Sequence, residues 1–130
     1  PIQVEPKLNQ VGTVTATSPL LITTNFSLTY YTVEGEVEAS RIPSFIGAID
    51  TDGTSVLTAF ASDKLTAEKI AAFLKSDAVK DKVTHKKVII PGYVAVMSGA
   101  LEEESGWKVL VGPREASGLP KYLKTVWKSE

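Results

Sequence analysis

Residues 20–49 read LLITTNFSLTYYTVEGEVEASRIPSFIGAI, and this stretch decides the predicted fold. It opens with Leu20-Leu21-Ile22-Thr23-Thr24, a short apolar and β-branched run that is typical of a strand buried on both faces. A helix over residues 28–39 follows, and it ends before Pro43 because a residue ahead of proline avoids the helical region. Residues 45–49 then predict a second strand, so the stretch forms one strand–helix–strand unit.

The rest of the chain repeats this alternation. Further strands are predicted at residues 87–90 and 107–111, and further helices after Thr66, around residues 94–105 and from residue 116 to about residue 127. Asn25 or Ser27 can cap the first helix, and Thr66 can cap a later one. Residues 54–62 fit either a strand or a helix, and both interpretations stay open. Residues 1–18 show no clear period and predict a connecting arm.

Strands that alternate with helices indicate a mainly parallel sheet, because each parallel connection needs a long crossover. The expected fold is therefore α/β, flavodoxin-like or Rossmann-like, with helices on both faces of the sheet. In such folds the ligand crevice lies beyond the carboxyl ends of the strands, where the strand order reverses. We therefore expect four segments to converge on one edge: residues 23–30, 51–57, 91–95 and 112–118.

Length and composition restrict the class of protein. The chain has 130 residues, which suits one domain and is too short for two of ordinary size. Apolar residues make up 43% and charged residues 22%, as in folded globular proteins. The net charge of -1 supplies no field that would attract nucleic acid or an anionic membrane, so we expect neither as a partner. Without cysteine, the chain holds no disulfide and no iron–sulfur cluster of its own.

Two features of the sequence bear on location and processing. The chain has no apolar run of about 18 residues and no signal-like start, so we expect a cytoplasmic protein. It begins at Pro1 rather than Met, which fits a processed chain or a segment of a longer one.

Several chemistries lack their motifs. The glycines are isolated, so neither G-x-G-x-x-G nor a P-loop is present, and no G-x-S-x-G elbow supports a hydrolase. The single histidine, His85, has no neighbouring ligand at metal-binding spacing, which favours an exposed or capping role. Asp50 and Asp52 lack the further carboxylates of a Mg²⁺ phosphotransfer site, so a turn is favoured.

Three segments resemble one family. They are Thr23-Thr24-Asn25-Phe26-Ser27-Leu28-Thr29-Tyr30, Val88-Ile89-Ile90-Pro91-Gly92-Tyr93-Val94-Ala95 and Val111-Gly112-Pro113-Arg114-Glu115-Ala116-Ser117. These strings closely resemble the carboxyl-terminal domain of the large (gamma) subunit of the corrinoid iron–sulfur protein, part of the acetyl-CoA synthase/carbon monoxide dehydrogenase system of anaerobes. The resemblance runs over about residues 19–127.

The resemblance implies a methyl carrier rather than a domain that catalyses alone. The resemblance implies that the complete subunit has three domains: a cluster-bearing domain, a TIM barrel and a corrinoid-binding domain. This chain is similar to the last. It implies a cobamide (a cobalamin-type corrinoid) as cofactor and a 4Fe-4S cluster only in a missing amino-terminal part. It also implies three partners: a TIM-barrel small subunit, the methyltetrahydrofolate methyltransferase and acetyl-CoA synthase.

The resemblance also implies a cobalt without a protein imidazole. Corrinoid proteins that use a D-x-H-x-x-G motif supply a histidine to the metal, whereas around His85 this chain has Val83 and Val88 at the Asp and Gly positions. The sequence thus agrees with a base-off, histidine-off cobamide. Loss of an axial nitrogen makes reduction to Co(I) easier.

Loop position and the resemblance together select candidate cofactor contacts, with no catalytic residue and no metal ligand among them. They are Thr24, Tyr30, Thr54, Ser55, Val56, Leu57, Gly92, Tyr93, Ala116 and Ser117. Two other hypotheses remain open. One is a flavodoxin-like module that binds flavin at the same edge, and the other is a docking domain that binds no cofactor.

Overall fold

The computed structural model describes residues 2–127 and alternates strands with helices. The strands are β1 (Leu8–Val11), β2 (Leu20–Thr24), β3 (Ser44–Ile49), β4 (Lys87–Ile90) and β5 (Lys108–Val111). The helices are α1 (Ser27–Ser40), α2 (Val56–Ala61), α3 (Ala67–Leu74), α4 (Asp77–Lys82), α5 (Ser98–Ser105) and α6 (Leu119–Thr125). Short 3₁₀ turns at Gly92–Met97 and Ala116–Gly118 lead into α5 and α6.

All five strands form one sheet in the order β1-β3-β2-β4-β5. Strand β2 pairs in parallel with β3 on one side and with β4 on the other, and β5 extends the parallel part beyond β4. After β3 the chain crosses to the opposite side of β2, so the strand order reverses between β2 and β4. The mainly parallel α/β class is confirmed, and the order of the parallel strands is compatible with a flavodoxin-like fold.

Two apolar clusters cover the two faces of the sheet. On one face, Leu20 and Ile22 of β2 pack with α3 and α5. On the other face, Leu21 packs with residues of α1 and α6. Every residue of β2 and β3 is buried, as the unbroken apolar run predicts for strands covered on both sides. No helix within residues 2–127 is both long enough and apolar enough to cross a membrane.

The predicted connecting arm contributes to the sheet. Strand β1 lies at the edge and pairs antiparallel with β3, with Leu8 opposite Gly47 and Val11 opposite Ser44. Only four residues of the arm form this strand, and their alternation is too short to be recognised as a period.

Side-chain caps mark the starts of α2 and α3 but not of α1. Thr66 accepts a hydrogen bond from the backbone N–H of Lys69, so the predicted cap of α3 is confirmed. Ser55 accepts from the N–H of Thr58, and residues 56–61 are helical, which resolves the open choice between strand and helix. Helix α4 was not predicted. Helix α1 begins after Phe26 without a side-chain cap, so the cap expected from Asn25 or Ser27 is wrong.

Glu102, in the acidic run at the end of α5, pairs with a backbone group at the open edge of the sheet. Glu102 reaches across and accepts a hydrogen bond from the backbone N–H of Val109, at 2.9 Å. This N–H belongs to the edge strand β5, and unpaired edge groups of this kind invite pairing with other chains. The Glu102 carboxylate therefore has a tertiary partner, although its position at the carboxyl end opposes the helix dipole.

His85 lies at the amino end of β4, where the backbone occupies both ring nitrogens. Its Nδ1 accepts from the N–H of Lys87 at 3.1 Å, and its Nε2 lies 2.7 Å from the carbonyl oxygen of Ser18. Because Nδ1 is the acceptor, the neutral ring carries its proton on Nε2 and donates it to Ser18. The rings of Trp107 and Trp127 pack against the imidazole in T-shaped arrangements, with centroid distances of 6.0 and 4.9 Å. Burial lowers the pKa of His85 below its usual 6.5.

We expect the free energy of unfolding to fall as the pH drops below about 6.5. In this range His85 of the unfolded chain binds a proton, whereas His85 of the folded chain, with its lowered pKa, stays neutral. The contribution is fully present above this value and is lost as the pH falls towards the lowered folded pKa. Urea unfolding at about pH 7.5 and about pH 5 measures it. His85→Gln keeps a donor for Ser18 but does not titrate, so it should lose less stability between these conditions. Equal losses in both proteins would contradict the assignment.

Candidate functional site

A cavity of about 320 Å³ opens at the carboxyl ends of β2 and β4, where the strand order reverses. All four predicted segments contribute to its walls, so their convergence on one edge is confirmed. Its lining residues are Leu21, Ile22, Thr23, Leu28, Thr29, Thr32, Val33, Ser55, Val56, Leu57, Ile89, Ile90, Pro91, Tyr93, Gly112, Pro113, Arg114, Glu115, Ala116 and Leu119. This position is the ligand crevice of open parallel sheets.

The cavity walls are mainly apolar and carry few charged side chains. Within the described part of the chain, the charged side chains that line it are Arg114 and Glu115. Leu28 and Leu57 are 70% and 53% exposed, and Tyr93 is 39% exposed. Large exposed apolar side chains beside a cavity mark a surface suited to a flat apolar ligand or a partner.

One polar group in the wall has no partner. The Oγ1 atom of Thr23 is buried and makes no hydrogen bond within residues 2–127. Thr32, another cavity residue, differs because its hydroxyl donates to the carbonyl oxygen of Leu28. Buried polar groups are normally paired, so an orphaned hydroxyl in a cavity wall points to a ligand group.

Asn25 joins the loop after β2 to the loop after β3. Its side-chain oxygen accepts from the backbone N–H groups of Thr51, at 2.9 Å, and Gly53, at 3.0 Å. Thr54 closes the same loop by donating its hydroxyl to the carbonyl of Thr51 at 2.8 Å. Asn25 is 1% exposed, so its hydrogen bonds form away from water. They position Ser55 and the start of α2 at the cavity wall.

Two glycines let the loops after β4 and β5 pack backbone against backbone. A Cβ atom on Gly92 would lie 2.6 Å from the carbonyl oxygen of Gly112 and 2.8 Å from the N–H nitrogen of Arg114. The N–H of Gly92 donates to the carbonyl of Pro113, and the N–H of Gly112 donates to that of Ile90. Any larger side chain at position 92 would therefore push the two loops apart.

Tyr93 and Glu115 add a side-chain link between the same two loops. The Tyr93 hydroxyl donates to Oε2 of Glu115 at 2.8 Å, and this bond raises the pKa of Tyr93. The guanidinium of Arg114 lies 5.8 Å from the centre of the Tyr93 ring, a cation–π distance. These three side chains form one cluster at the rim of the cavity.

The predicted site residues divide into three groups. Ser55, Val56, Leu57, Tyr93 and Ala116 line the cavity. Gly92 and Thr54 do not line the cavity but stabilise the loops that do. Gly92 packs against the loop after β5, and Thr54 closes the loop after β3.

Thr24, Tyr30 and Ser117 do not line this cavity. Thr24 is fully buried on the opposite face of β2 from Thr23. Tyr30 packs into the core, and its hydroxyl donates to Glu34 beside a separate groove near the amino-terminal segment. Burial is the main reason why the pKa of Tyr30 is raised, followed by the nearby Glu34 carboxylate.

Neither Thr23 nor the role of Asn25 was identified from the sequence. Adjacent threonines on a strand point to opposite faces, and the sequence alone does not assign the faces. Asn25 was considered only as a helix cap, although a short amide directly after a strand is also suited to bridging loops. No group of three His, Cys, Asp or Glu side chains within residues 2–127 is arranged to hold a metal ion.

A family model described as CdhD, CO dehydrogenase/acetyl-CoA synthase delta subunit, matches residues 1–123. This chain belongs to that family. It is 56% identical over 124 residues to the corrinoid/iron-sulfur protein large subunit of Moorella thermoacetica, a match that covers 95% of this chain and 28% of that protein. It is 46% identical over 130 residues to the acetyl-CoA decarbonylase/synthase complex subunit gamma 2 of Methanosarcina thermophila, covering 98% and 28%.

The gamma subunit of Methanothermobacter thermautotrophicus is 42% identical over 123 residues, with 95% of this chain and 27% of that protein covered. These matches to large and gamma subunits confirm the resemblance carried by the three short segments. The chain of this CdhD-family domain spans a little over a quarter of the length of the curated relatives it matches.

Asn25→Ala should destabilise the CdhD-family domain by about 2–4 kcal/mol, because it leaves buried N–H groups of Thr51 and Gly53 unpaired. Chemical unfolding measures the loss. Asn9→Ala is the matched control, since Asn9 makes one exposed hydrogen bond to Lys7 and should cost little. Similar losses for the two variants would contradict the central role given to Asn25.

Gly92→Ala should cost about 1–3 kcal/mol, because the new methyl group meets backbone atoms that cannot move independently. Gly99→Ala is the control, since a Cβ there meets nothing within 4 Å in helix α5. That change should stabilise the fold by up to about 1 kcal/mol through helix propensity. A Gly92 variant as stable as the Gly99 variant would show that the loops do not pack as described.

Proposed function

We propose that this chain is a corrinoid-binding domain that holds a base-off, histidine-off cobamide and serves as a methyl carrier. In this role the methyl group comes from methyltetrahydrofolate on a methyltransferase and goes to acetyl-CoA synthase, in the reductive acetyl-CoA pathway. The observation that carries the proposal is the nearly uncharged cavity at the point where the strand order reverses. The names of the relatives, corrinoid/iron-sulfur protein and acetyl-CoA decarbonylase/synthase subunit, support the same reading.

The cavity residues fit a cobamide in their chemistry. The corrin ring is broad and apolar at its centre and carries amide groups at its periphery. Val33, Val56 and Ala116 offer apolar wall, whereas Thr23, Ser55 and the loop backbones offer hydrogen-bonding groups. A volume of about 320 Å³ lies at the small end of ligand pockets. A corrin therefore exceeds this cavity, and part of the ring must lie outside it.

The exposed apolar rim accounts for the part outside the cavity. Leu28, Leu57 and Tyr93 leave apolar surface open around the mouth. A cofactor that rests on this rim remains accessible from the other side. Such accessibility is what a carrier needs, because its cargo must reach more than one protein. We propose that a barrel-shaped small subunit covers the ring, and that the methyltransferase and acetyl-CoA synthase reach it in turn.

The chain keeps its imidazole away from this cavity. His85 lies at the amino end of β4, whereas the cavity lies at the carboxyl end, and backbone groups occupy both ring nitrogens. When bound, a cobamide supplies a cobalt centre that accepts and releases a methyl group, and the lack of an axial nitrogen eases its reduction. The role of the chain is to bind the ring and to leave that axial position without a strong ligand. An iron–sulfur cluster belongs to another part of the protein, since this chain has no cysteine.

Ligand retention tests the proposal. The chain is mixed separately with cobinamide, cobalamin and flavin mononucleotide, and equilibrium dialysis up to millimolar ligand measures binding. We expect saturable binding of both corrinoids and none of the flavin. Reduced Co(II) cobalamin in the complex should lack the ¹⁴N superhyperfine splitting of an axial nitrogen in its EPR spectrum.

His85→Gln is the matched control, and its complex should give the same EPR spectrum as that of the unchanged chain. Retention of the flavin alone would favour a flavin-binding module, and retention of no ligand would favour a docking domain. Either result would overturn the proposal, as would a ¹⁴N splitting that disappears in His85→Gln.

A further inference from the structure

We infer that the hydroxyl of Thr23 is a specificity contact that binds a carboxamide group at the edge of the corrin. The inference rests on the proposed function and deepens it, because it names the chain's own group that recognises the ring periphery. It is based on the Oγ1 atom of Thr23, which the fold buries without a hydrogen-bond partner within the described residues.

Thr23 combines three observations that point to a ligand. Its side chain is 1% exposed, its Oγ1 has no partner within the described residues, and it lines the cavity. Leu21 of the same strand and Ile89 of the neighbouring strand β4 are apolar and lie on the same face of the sheet. A hydroxyl buried without a hydrogen bond destabilises a fold. A bound group that pairs with this hydroxyl removes that penalty.

The chemistry of a threonine hydroxyl matches a carboxamide. It offers one donor and two acceptor positions, and a carboxamide offers both a donor N–H and an acceptor oxygen. The apolar surroundings strengthen the selectivity, because an apolar ligand group would leave the hydroxyl unpaired. Thr23 is therefore suited to hydrogen-bonding a carboxamide at the edge of the corrin ring, while the apolar cavity wall contacts the centre of the ring.

The neighbouring Thr24 shows why the face of the strand matters. Its hydroxyl accepts from the N–H of Phe26 at 3.5 Å, and its side chain does not line the cavity. Thr23 and Thr24 are thus two adjacent buried threonines, of which Thr23 lines the cavity and has an unpaired hydroxyl. Changing each to valine keeps the shape and removes the hydroxyl, so the pair separates hydrogen bonding from packing.

Thr23→Val should change stability and affinity in opposite directions. Without ligand, its thermal unfolding midpoint should rise above that of the unchanged chain, because the orphaned hydroxyl is gone. Its affinity for cobinamide should fall about tenfold, the loss of one buried hydrogen bond. Thr23→Ser keeps the hydroxyl and should restore most of the affinity. Thr24→Val should bind cobinamide like the unchanged chain.

The outcomes separate this inference from the function on which it rests. If the unchanged chain shows no saturable cobinamide binding, the proposed function fails. If it binds and Thr23→Val binds equally well, the inference alone is overturned. A lower unfolding midpoint for ligand-free Thr23→Val would also overturn it, since the hydroxyl would then already have a partner in the fold. An affinity loss in Thr24→Val that equals that of Thr23→Val would assign the effect to packing.

Discussion

The side-chain oxygen of Asn25 holds the loop that follows β3 against the end of β2, and the cavity depends on this contact. Parallel strands hydrogen-bond along their length, but the sheet does nothing to join the loops at their carboxyl ends. Asn25 supplies that connection between β2 and β3 through the N–H groups of Thr51 and Gly53. The close packing of Gly92 on Gly112 supplies it between β4 and β5. The cavity thus lies between two halves of the sheet edge. Asn25 joins the loops of the β2–β3 half, and the glycine packing joins those of the β4–β5 half.

The boundary between these halves lies between β2 and β4, where the register of the parallel strands is shortest. Five residue pairs join β2 to β3 and four join β4 to β5, whereas the described register of β2 with β4 is the pair of Leu21 and Ile89. The cavity lies at the carboxyl ends of these two strands, where the crossover from β3 to β4 passes to the other side of β2. Helices α1, α2 and α6 supply part of its lining.

Local patterns predicted the secondary structure well, and the side-chain environment poorly. The apolar run before Asn25 and the proline after α1 mark the first strand–helix–strand unit through short-range sterics, which the sequence contains in full. The face of β2 is different, since a one-residue choice between Thr23 and Thr24 reverses which hydroxyl meets the cavity. The position of Tyr30 outside the cavity lining was unpredictable for a similar reason. Its place on α1 follows from how that helix rotates against the sheet, which depends on tertiary packing.

The four-loop convergence was predictable because topology alone places the carboxyl ends of parallel strands together. The contacts within the loops were not, because they depend on partners far along the chain. Asn25 and Thr51 are separated by 26 residues, and Tyr93 and Glu115 by 22. No local pattern joins such pairs. Gly92 was predicted as a cofactor contact from its loop position, and only the structure shows that its Cα packs against the backbone of the loop after β5.

The position of His85 gives the histidine-off proposal a geometric basis. An extended strand advances about 3.3 Å per residue, so the run from His85 to Ile90 spans roughly 15 Å. The imidazole is therefore a strand's length from the cavity, and its two backbone hydrogen bonds keep it there. For this chain to supply an axial nitrogen, a histidine would have to lie on one of the four loops at the opposite edge. Burial at this end of the strand also lowers the pKa of His85.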